Sequence, residues 1–252
     1  MRLSMLSAGL MLIASVSQAA VTVSGDVANP GPVELPPGGR LLDVISEAVP
    51  NAEGYWLAGA LLRQSLIEEQ TRLKVGVLFD LDVLRRMATL FDRPSRAALA
   101  QRVAEEVRQM PVTGRQVADL DPVALEVGFA RNIRLDDGDR LIYPKRVDEV
   151  EVLGAVAAPC HLPYQPLQEA REYLQGCSIL SDAEADYLWL IQPNGASQRV
   201  GIAHWNRESG HFPVAGSKIL VPLKNDDLDP PLPELNQQLA EFIATQLAEV
   251  VR

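Results

Sequence analysis

Two cysteines and three histidines could give this 252-residue chain thiol or metal chemistry. Cys160 and Cys177 are its only cysteines. In an oxidising compartment such a pair forms a disulfide, which contributes about 3 kcal/mol on the chain-entropy model. The alternative is a nucleophile or metal site built from Cys160 with His161, His204 and His211. Their spacing matches no usual zinc pattern and no third catalytic partner stands out, so the sequence favours the disulfide and predicts no metal or cofactor.

Aromatic side chains offer a second kind of chemistry, because flat rings can stack on the faces of sugars. The candidates are Tyr187, Trp189 and Trp205. Tyr187 and Trp189 lie two positions apart and share one face of a predicted strand, so a contact in the core or between domains is the alternative use. The sequence leaves glycan binding and packing open for these rings.

Charged residues supply the remaining candidates. Arg115, on a predicted strand, could bind a glycan carboxylate through its guanidinium, and an ion pair within the protein is the alternative. The chain has 33 acidic residues, so a carboxylate pair for glycoside hydrolysis stays open, but no stretch brings two of them into one cleft. Neither a phosphate-binding glycine loop nor a nucleophile elbow is present.

Composition and charge exclude several classes of protein. The 33 acidic residues outnumber the 23 basic ones and give a formal net charge of −10, which repels nucleic acid and anionic lipid headgroups. With 47% hydrophobic and 22% charged residues, the composition is that of a folded globular protein. We therefore expect a folded protein that does not bind nucleic acid.

The first 19 residues have the features of a secretory signal peptide. Arg2 precedes an apolar run over 6–14, and Ser17-Gln18-Ala19 places small residues where a signal peptidase recognises them. The run is too short to span a membrane, and no later segment is apolar enough to do so. We expect cleavage after Ala19 and a periplasmic protein without a transmembrane span.

One sequence pattern occurs twice and is the main evidence for the fold. The stretch 21–30 returns as 150–159, with three valines, a glycine and a proline at the same spacing. Alternate apolar residues indicate a strand, the glycine a bulge or a close backbone approach, and the proline a turn. The stretches 135–144 and 213–222 match in the same way, but with fewer residues between the copies. The chain therefore contains two related modules, and the first carries an insertion.

Hydrophobic spacing predicts the remaining elements. A short helix follows the opening strands of each module, over 41–49 and 166–174. In the insertion, apolar residues at four-residue spacing predict three helices, over 55–69, from about Asp80 to Leu90, and over Pro94 to Met110, whereas 75–79 alternates like a strand.

The second module and the C-terminal stretch carry two further signals. Pro193-Asn194-Gly195 between the stretches 186–192 and 196–201 predicts a hairpin. After a proline-rich linker, an apolar stripe predicts an amphipathic helix with Leu235, Leu239, Phe242, Ile243 and Leu247 on one face. This helix either packs on the protein itself or docks on a membrane or partner.

Several of these motifs resemble a known family. The Val-x-Val-x-Gly-x-Val start over 21–27, the stretch 35–43 and the closing strand with Gly138-Asp139 look like the soluble-ligand-binding β-grasp modules of polysaccharide export proteins. The order of parts, with Asp186–Pro193 in the second module, is similar to the GfcC-type capsule biosynthesis family over nearly all of the mature chain. The resemblance implies a non-enzymatic periplasmic accessory protein in making or exporting capsule or exopolysaccharide.

The expected architecture is an α+β protein of two tandem β-grasp modules, the first with a helical insertion, followed by a C-terminal amphipathic helix. The expected bounds are a signal peptide over 1–19, module 1 over 20–146 with its insertion about 51–111, module 2 over 147–224, a linker over 225–233 and the helix over 234–252. The expected partners are polysaccharide, the outer-membrane polysaccharide export machinery, or both. A polysaccharide-modifying enzyme and a scaffold that binds only proteins are the alternatives.

Overall fold

The computed structural model describes residues 19–51, 54–225 and 232–247. Residues 1–18 of the predicted signal peptide, 226–231 of the predicted linker and 248–252 of the predicted C-terminal helix lie outside these ranges. The described residues form a mixed α+β structure with two five-stranded sheets and six α-helices. None of the helices in these ranges combines the length and hydropathy needed to span a bilayer.

The first sheet is built around the first copy of the repeated strand. Its strands are β1 (Ala20–Gly25), β2 (Gly31–Glu34), β3 (Ala60–Leu62), β4 (Arg115–Gln116) and β5 (Arg140–Tyr143), in the order β2-β1-β5-β3-β4. Strand β1 runs parallel to β5, and the other pairs are antiparallel. Two short helices, α1 (Leu41–Ala48) and α4 (Pro122–Glu126), bury their apolar faces in the same core as β1.

The second sheet repeats this arrangement. Its strands are β6 (Glu149–Gly154), β7 (Cys160–Pro163), β8 (Tyr187–Ile191), β9 (Ser197–Gly201) and β10 (Lys218–Val221), in the order β7-β6-β10-β8-β9. Strand β6 runs parallel to β10, and the other pairs are antiparallel. The repeat in the sequence therefore corresponds to two sheets of one topology. Their identity as β-grasp modules stays a prediction.

The repeated glycine has the same role in both sheets. Gly25 and Gly154 each have a φ of 94° and end the first strand of their sheet beside the last one. A Cβ atom at either position would collide with a carbonyl oxygen, that of Tyr143 in the first sheet or Val221 in the second. The predicted close backbone approach is confirmed, and glycine is required at both positions.

The inserted helices belong to the first module in sequence but pack with the second sheet. Helices α2 (Ile67–Leu90) and α3 (Pro94–Gln109) lie between β3 and β4 in the chain, and α2 also contacts α6 (Leu235–Ala244). Their buried side chains share one core with β6, β8 and β10, and its members include Val77, Leu81, Leu84, Leu99, Val103, Val107, Val152, Leu188, Ile219 and Phe242. The insertion therefore supplies a helical layer for the second sheet.

Two predictions for the insertion are wrong. Residues 60–62 of the predicted helix over 55–69 form strand β3, in which every residue is buried between β5 and β4. A short strand buried on both faces is uniformly apolar, so its periodicity does not distinguish it from a helix. Helix α2 begins at Ile67 rather than near Asp80 and includes the ambiguous stretch 75–79. Helix α3 confirms the prediction over Pro94 to Met110 within one residue.

In the second module the predicted hairpin is confirmed, because β8 and β9 are antiparallel neighbours. The predicted helix over 166–174 is too long. Helix α5 spans only Ala170–Tyr173 and is followed by a 3₁₀ turn. Leu167 has a φ of 62°, which an α-helix does not accommodate, so the helix begins after it.

Polar contacts join the first module and its insertion to the second sheet. On α3, the Arg102 guanidinium donates to the carbonyl oxygens of Gly154 and Val156, at 2.8 and 2.6 Å. Before β3, the Tyr55 hydroxyl donates to the carbonyl oxygen of Ala215 at 2.8 Å. Both contacts satisfy carbonyl groups at the end of β6, just after it, or in the turn before β10, where the sheet ladder supplies no partner.

Replacing Tyr55 with phenylalanine should lower the free energy of unfolding by about 1 kcal/mol at neutral pH, because a buried hydrogen bond is lost. Burial raises the pKa of Tyr55 from 10.0 to about 12. Between these values the unfolded chain releases the phenolic proton while the folded protein keeps it, so the unfolded state binds fewer protons and wild-type stability falls as pH rises. In urea denaturation, the advantage of wild type over Y55F should shrink across this window. A constant difference would contradict this placement of Tyr55.

Candidate functional site

The aromatic candidates differ in how open their rings are. Tyr187 and Trp189 are half-buried on β8, and the Arg199 guanidinium lies 3.8 Å from the centroid of the Tyr187 ring. Trp189 packs against the second core, and its indole nitrogen has no hydrogen-bond partner in the described part of the chain. Trp205 is 76% exposed in the loop after β9. Trp205 therefore has the most open ring of the three, and glycan contact stays a prediction for all of them.

The two tryptophans should respond differently to truncation. Trp205→Ala should change the free energy of unfolding by less than about 0.5 kcal/mol, since its side chain is exposed. Trp189→Ala should lower it by about 2 kcal/mol, because part of the ring packs on the core. Urea denaturation of the two variants measures both values. Equal losses would contradict the placement of these rings.

Arg115 lies inside the protein rather than on a binding surface. Its side chain is on β4, and the residue is 5% exposed. The guanidinium donates to the carbonyl oxygens of Gly59, at 3.2 Å, Gln246, at 2.9 Å, and Pro193. Among the described residues no carboxylate pairs with it, so the predicted ion pair is wrong at this position. Burial lowers the pKa of Arg115 to about 10. The three carbonyl groups stabilise the positive charge of the guanidinium in place of an anionic partner.

The two cysteines are joined. A disulfide links Cys160 on β7 to Cys177 after α5, with Cα atoms 6.0 Å apart. Neither sulfur is therefore a thiolate available as a nucleophile or metal ligand. Within the described ranges, no group of three or more His, Cys, Asp or Glu side chains is placed to hold a metal ion.

A cleft of about 290 Å³ opens over one end of the second sheet. Its floor is a row of side chains on three adjacent strands, because His161 on β7 lies opposite Glu151 on β6, which is in register with Lys218 on β10. Lys218 and Glu151 form an ion pair, and His161 Nδ1 lies 3.5 Å from the carboxylate of Glu149. The floor therefore alternates hydrogen-bond acceptors and donors.

The wall of this cleft is made by the ends of helices α3 and α6. The Gln246 side chain, after α6, donates to the carbonyl oxygen of Pro111, after α3, at 3.1 Å. Lys74 Nζ donates to the carbonyl oxygens of Arg108 and Met110, at 2.9 and 2.6 Å. The carbonyl groups of Arg108 and Met110 are thus satisfied, and the Gln246 contact joins the chain after α6 to the chain after α3. The cleft is a fixed feature of the packed structure.

This cleft cannot be identified from the sequence alone. A signal is present, because Glu149 and Glu151 alternate with buried Val150 and Val152 and therefore share the opposite face of one strand. The walls of the cleft cannot be predicted in this way, because they come from chain segments that meet only through tertiary packing. The four predicted site residues, Tyr187, Trp189, Trp205 and Arg115, are not among its lining residues.

Family models match most of the chain. The model for the N-terminal part of the capsule biosynthesis GfcC family matches residues 17–144, and the model for its C-terminal part matches residues 158–248. Uncharacterized protein YjbG of Escherichia coli K12 is 25% identical over 212 residues, which are 83% of each chain. Polysialic acid transport protein KpsD of Escherichia coli is 25% identical over 198 residues, which are 77% of this chain but 35% of KpsD.

Proposed function

Because the chain belongs to the capsule biosynthesis GfcC family, we propose that it is a non-catalytic periplasmic accessory protein for the assembly or export of capsule or exopolysaccharide. The observation that carries this proposal is the match of both family models, which together leave only short segments of the chain uncovered. The partners we propose are the polysaccharide itself and the outer-membrane export machinery. The similarity to a polysialic acid transport protein supports a role in export.

Two observations support a location outside the cytoplasm. The disulfide between Cys160 and Cys177 is of a kind that persists in oxidising compartments and is rare in the cytosol. The first 19 residues have the pattern of a signal peptide. For a protein of this family, the periplasm satisfies both.

The matching strand orders of the two sheets support the β-grasp assignment. In each, a hairpin supplies an edge strand and a neighbour, and that neighbour runs parallel to the last strand of the module. A helix follows the hairpin in both modules, α1 in the first and α5 in the second. We propose that both are soluble-ligand-binding modules of the β-grasp type.

A polysaccharide-modifying enzyme is the second candidate, and the cleft is the observation that favours it. Glu149 and Glu151 both line it, and two carboxylates are the usual equipment for cleaving a glycosidic bond. Glu151 is paired with Lys218, and this ion pair argues against its use as a catalytic carboxylate. We propose binding rather than cleavage at this site.

Incubating the purified protein with polysaccharide from its host separates these functions. Binding without catalysis predicts that the protein co-sediments with the polymer and that the polymer's length distribution does not change. Shortened polymer, with the change abolished in the variant Glu149→Gln, would establish the enzyme instead. If the polymer is unchanged and no protein co-sediments with it, the result would favour a scaffold that binds only proteins.

A further inference from the structure

We propose that the cleft over the second sheet binds one uncharged sugar ring of the polysaccharide. This inference rests on the proposed function, and it names the class of ligand and the residues that hold it. The cleft is lined by polar side chains on its floor and by apolar side chains beside them, in a volume of about 290 Å³. That volume lies just below the usual range for drug-sized ligand sites and suits a single ring.

The floor offers hydrogen bonds of both kinds. Each sugar hydroxyl can donate one hydrogen bond and accept others, so a site for it needs acceptors and donors close together. The carboxylates of Glu149 and Glu151 are acceptors, and Lys218 Nζ is a donor. Only 17% of the Lys218 side chain and 22% of the Glu151 side chain are exposed, so their positions are set by the sheet before any ligand arrives. Glu149 is more open, at 44%.

Apolar side chains face the same space. Val147, Leu153, Met110 and Ile243 line the cleft with the charged row. A pyranose has an apolar face of C–H groups as well as its hydroxyl edge, and contact with these side chains removes that face from water. The combination of a few placed polar groups with apolar walls is the usual composition of a small-molecule site.

The charge of the cleft selects against acidic sugars. Two carboxylates and one ammonium group line it, so these three groups together carry a net charge of −1. A carboxylate or phosphate on the ligand would be repelled, so a neutral hexose or N-acetylhexosamine fits better than a uronic acid.

The test is an NMR titration of the intact mature protein with D-galactose, N-acetyl-D-glucosamine and D-glucuronate in turn. At least one neutral sugar should shift the backbone amides of β6, β7 and β10, while glucuronate should not. Glu149→Gln removes the charge of the more open of the two carboxylates and should weaken binding about tenfold. The matched control is Glu126→Gln, an exposed carboxylate on α4 in the first module, which should bind like wild type.

Two results would overturn the inference. One is the absence of shifts with both neutral sugars, and the other is a folded Glu149→Gln variant that binds them as wild type does. Thermal unfolding of each variant establishes that it is folded. Co-sedimentation with the host polymer that survives Glu149→Gln would remove the cleft as the site while leaving the proposed function in place.

Discussion

Arg115→Met should lower the free energy of unfolding by about 2 to 4 kcal/mol, since it removes every donor from a buried position that serves three carbonyl groups. Those oxygens belong to Gly59 before β3, Pro193 at the tip of the β8–β9 hairpin, and Gln246 after α6. One guanidinium therefore joins the first module, the second sheet and the C-terminal helix. Its burial is costly, as the lowered pKa shows, but leaving the acceptors unpaired costs more.

Urea denaturation measures this loss. The matched control is Arg131→Met, a change at an exposed arginine of the first module, which should shift stability by less than about 0.5 kcal/mol. Arg115→Lys should recover only part of the loss, because an ammonium group cannot reproduce the planar fork of donors. If Arg115→Met is as stable as wild type, relief of the buried charge offsets the lost hydrogen bonds, and Arg115 does not hold the three segments together.

Phe242→Ala should lower the free energy of unfolding by about 3 to 5 kcal/mol, the range for truncating a buried aromatic ring. Phe242 is fully buried on α6 and belongs to the core that contains Leu81 and Leu84 of the insertion. Lys74 Nζ also lies 5.9 Å from the centroid of its ring, within the range of a cation–π contact. The loss should therefore extend to the whole helical layer.

The matched control for this variant is Glu241→Ala, which alters an exposed neighbour on the same helix. It should change stability by less than about 0.5 kcal/mol. The pair of variants tests how α6 is used, because a helix reserved for a membrane or a partner groove would tolerate loss of its apolar ring in the isolated protein. A Phe242→Ala variant as stable as wild type would instead support docking of the C-terminal helix on a membrane or a partner.

The repeated strands, their glycines and the turn residues are the parts of the fold that the sequence predicts well. The valine alternation marks β1 and β6, and the glycine inside it reports a backbone contact that admits no side chain. The Pro193-Asn194-Gly195 turn indicates the hairpin, because the geometry of a tight turn selects those residue types. The alternation and the turn depend on a few neighbouring residues, and the glycine is noticeable because it returns at the same place in both copies, so a single sequence carries these signals.

Elements whose environment is set by distant segments are predicted poorly. Strand β3 has only three residues and is buried between two other strands, so it lacks the alternation that marks a half-exposed strand. The partner of helices α2 and α3 is the second sheet, although they interrupt the first in sequence. The partners of Arg115 lie on three segments that meet only in the folded chain, and no local pattern identifies them.

The same distinction between local and distant determinants applies to the cleft. The alternation of Glu149 and Glu151 with buried valines can be read from the sequence, and it places both carboxylates on one strand face. That this face lies under the ends of α3 and α6 depends on how the helical layer packs. Hence the sequence contains the chemistry of the cleft but not its shape.

The proposed role in export is tested most directly by deleting the gene in its host, restoring it in trans, and quantifying surface and periplasmic polysaccharide separately. A protein that acts in export predicts loss of surface polymer, retention of polymer in the periplasm, and recovery of the surface fraction with the intact gene. Unchanged amounts in both fractions would contradict the proposed function.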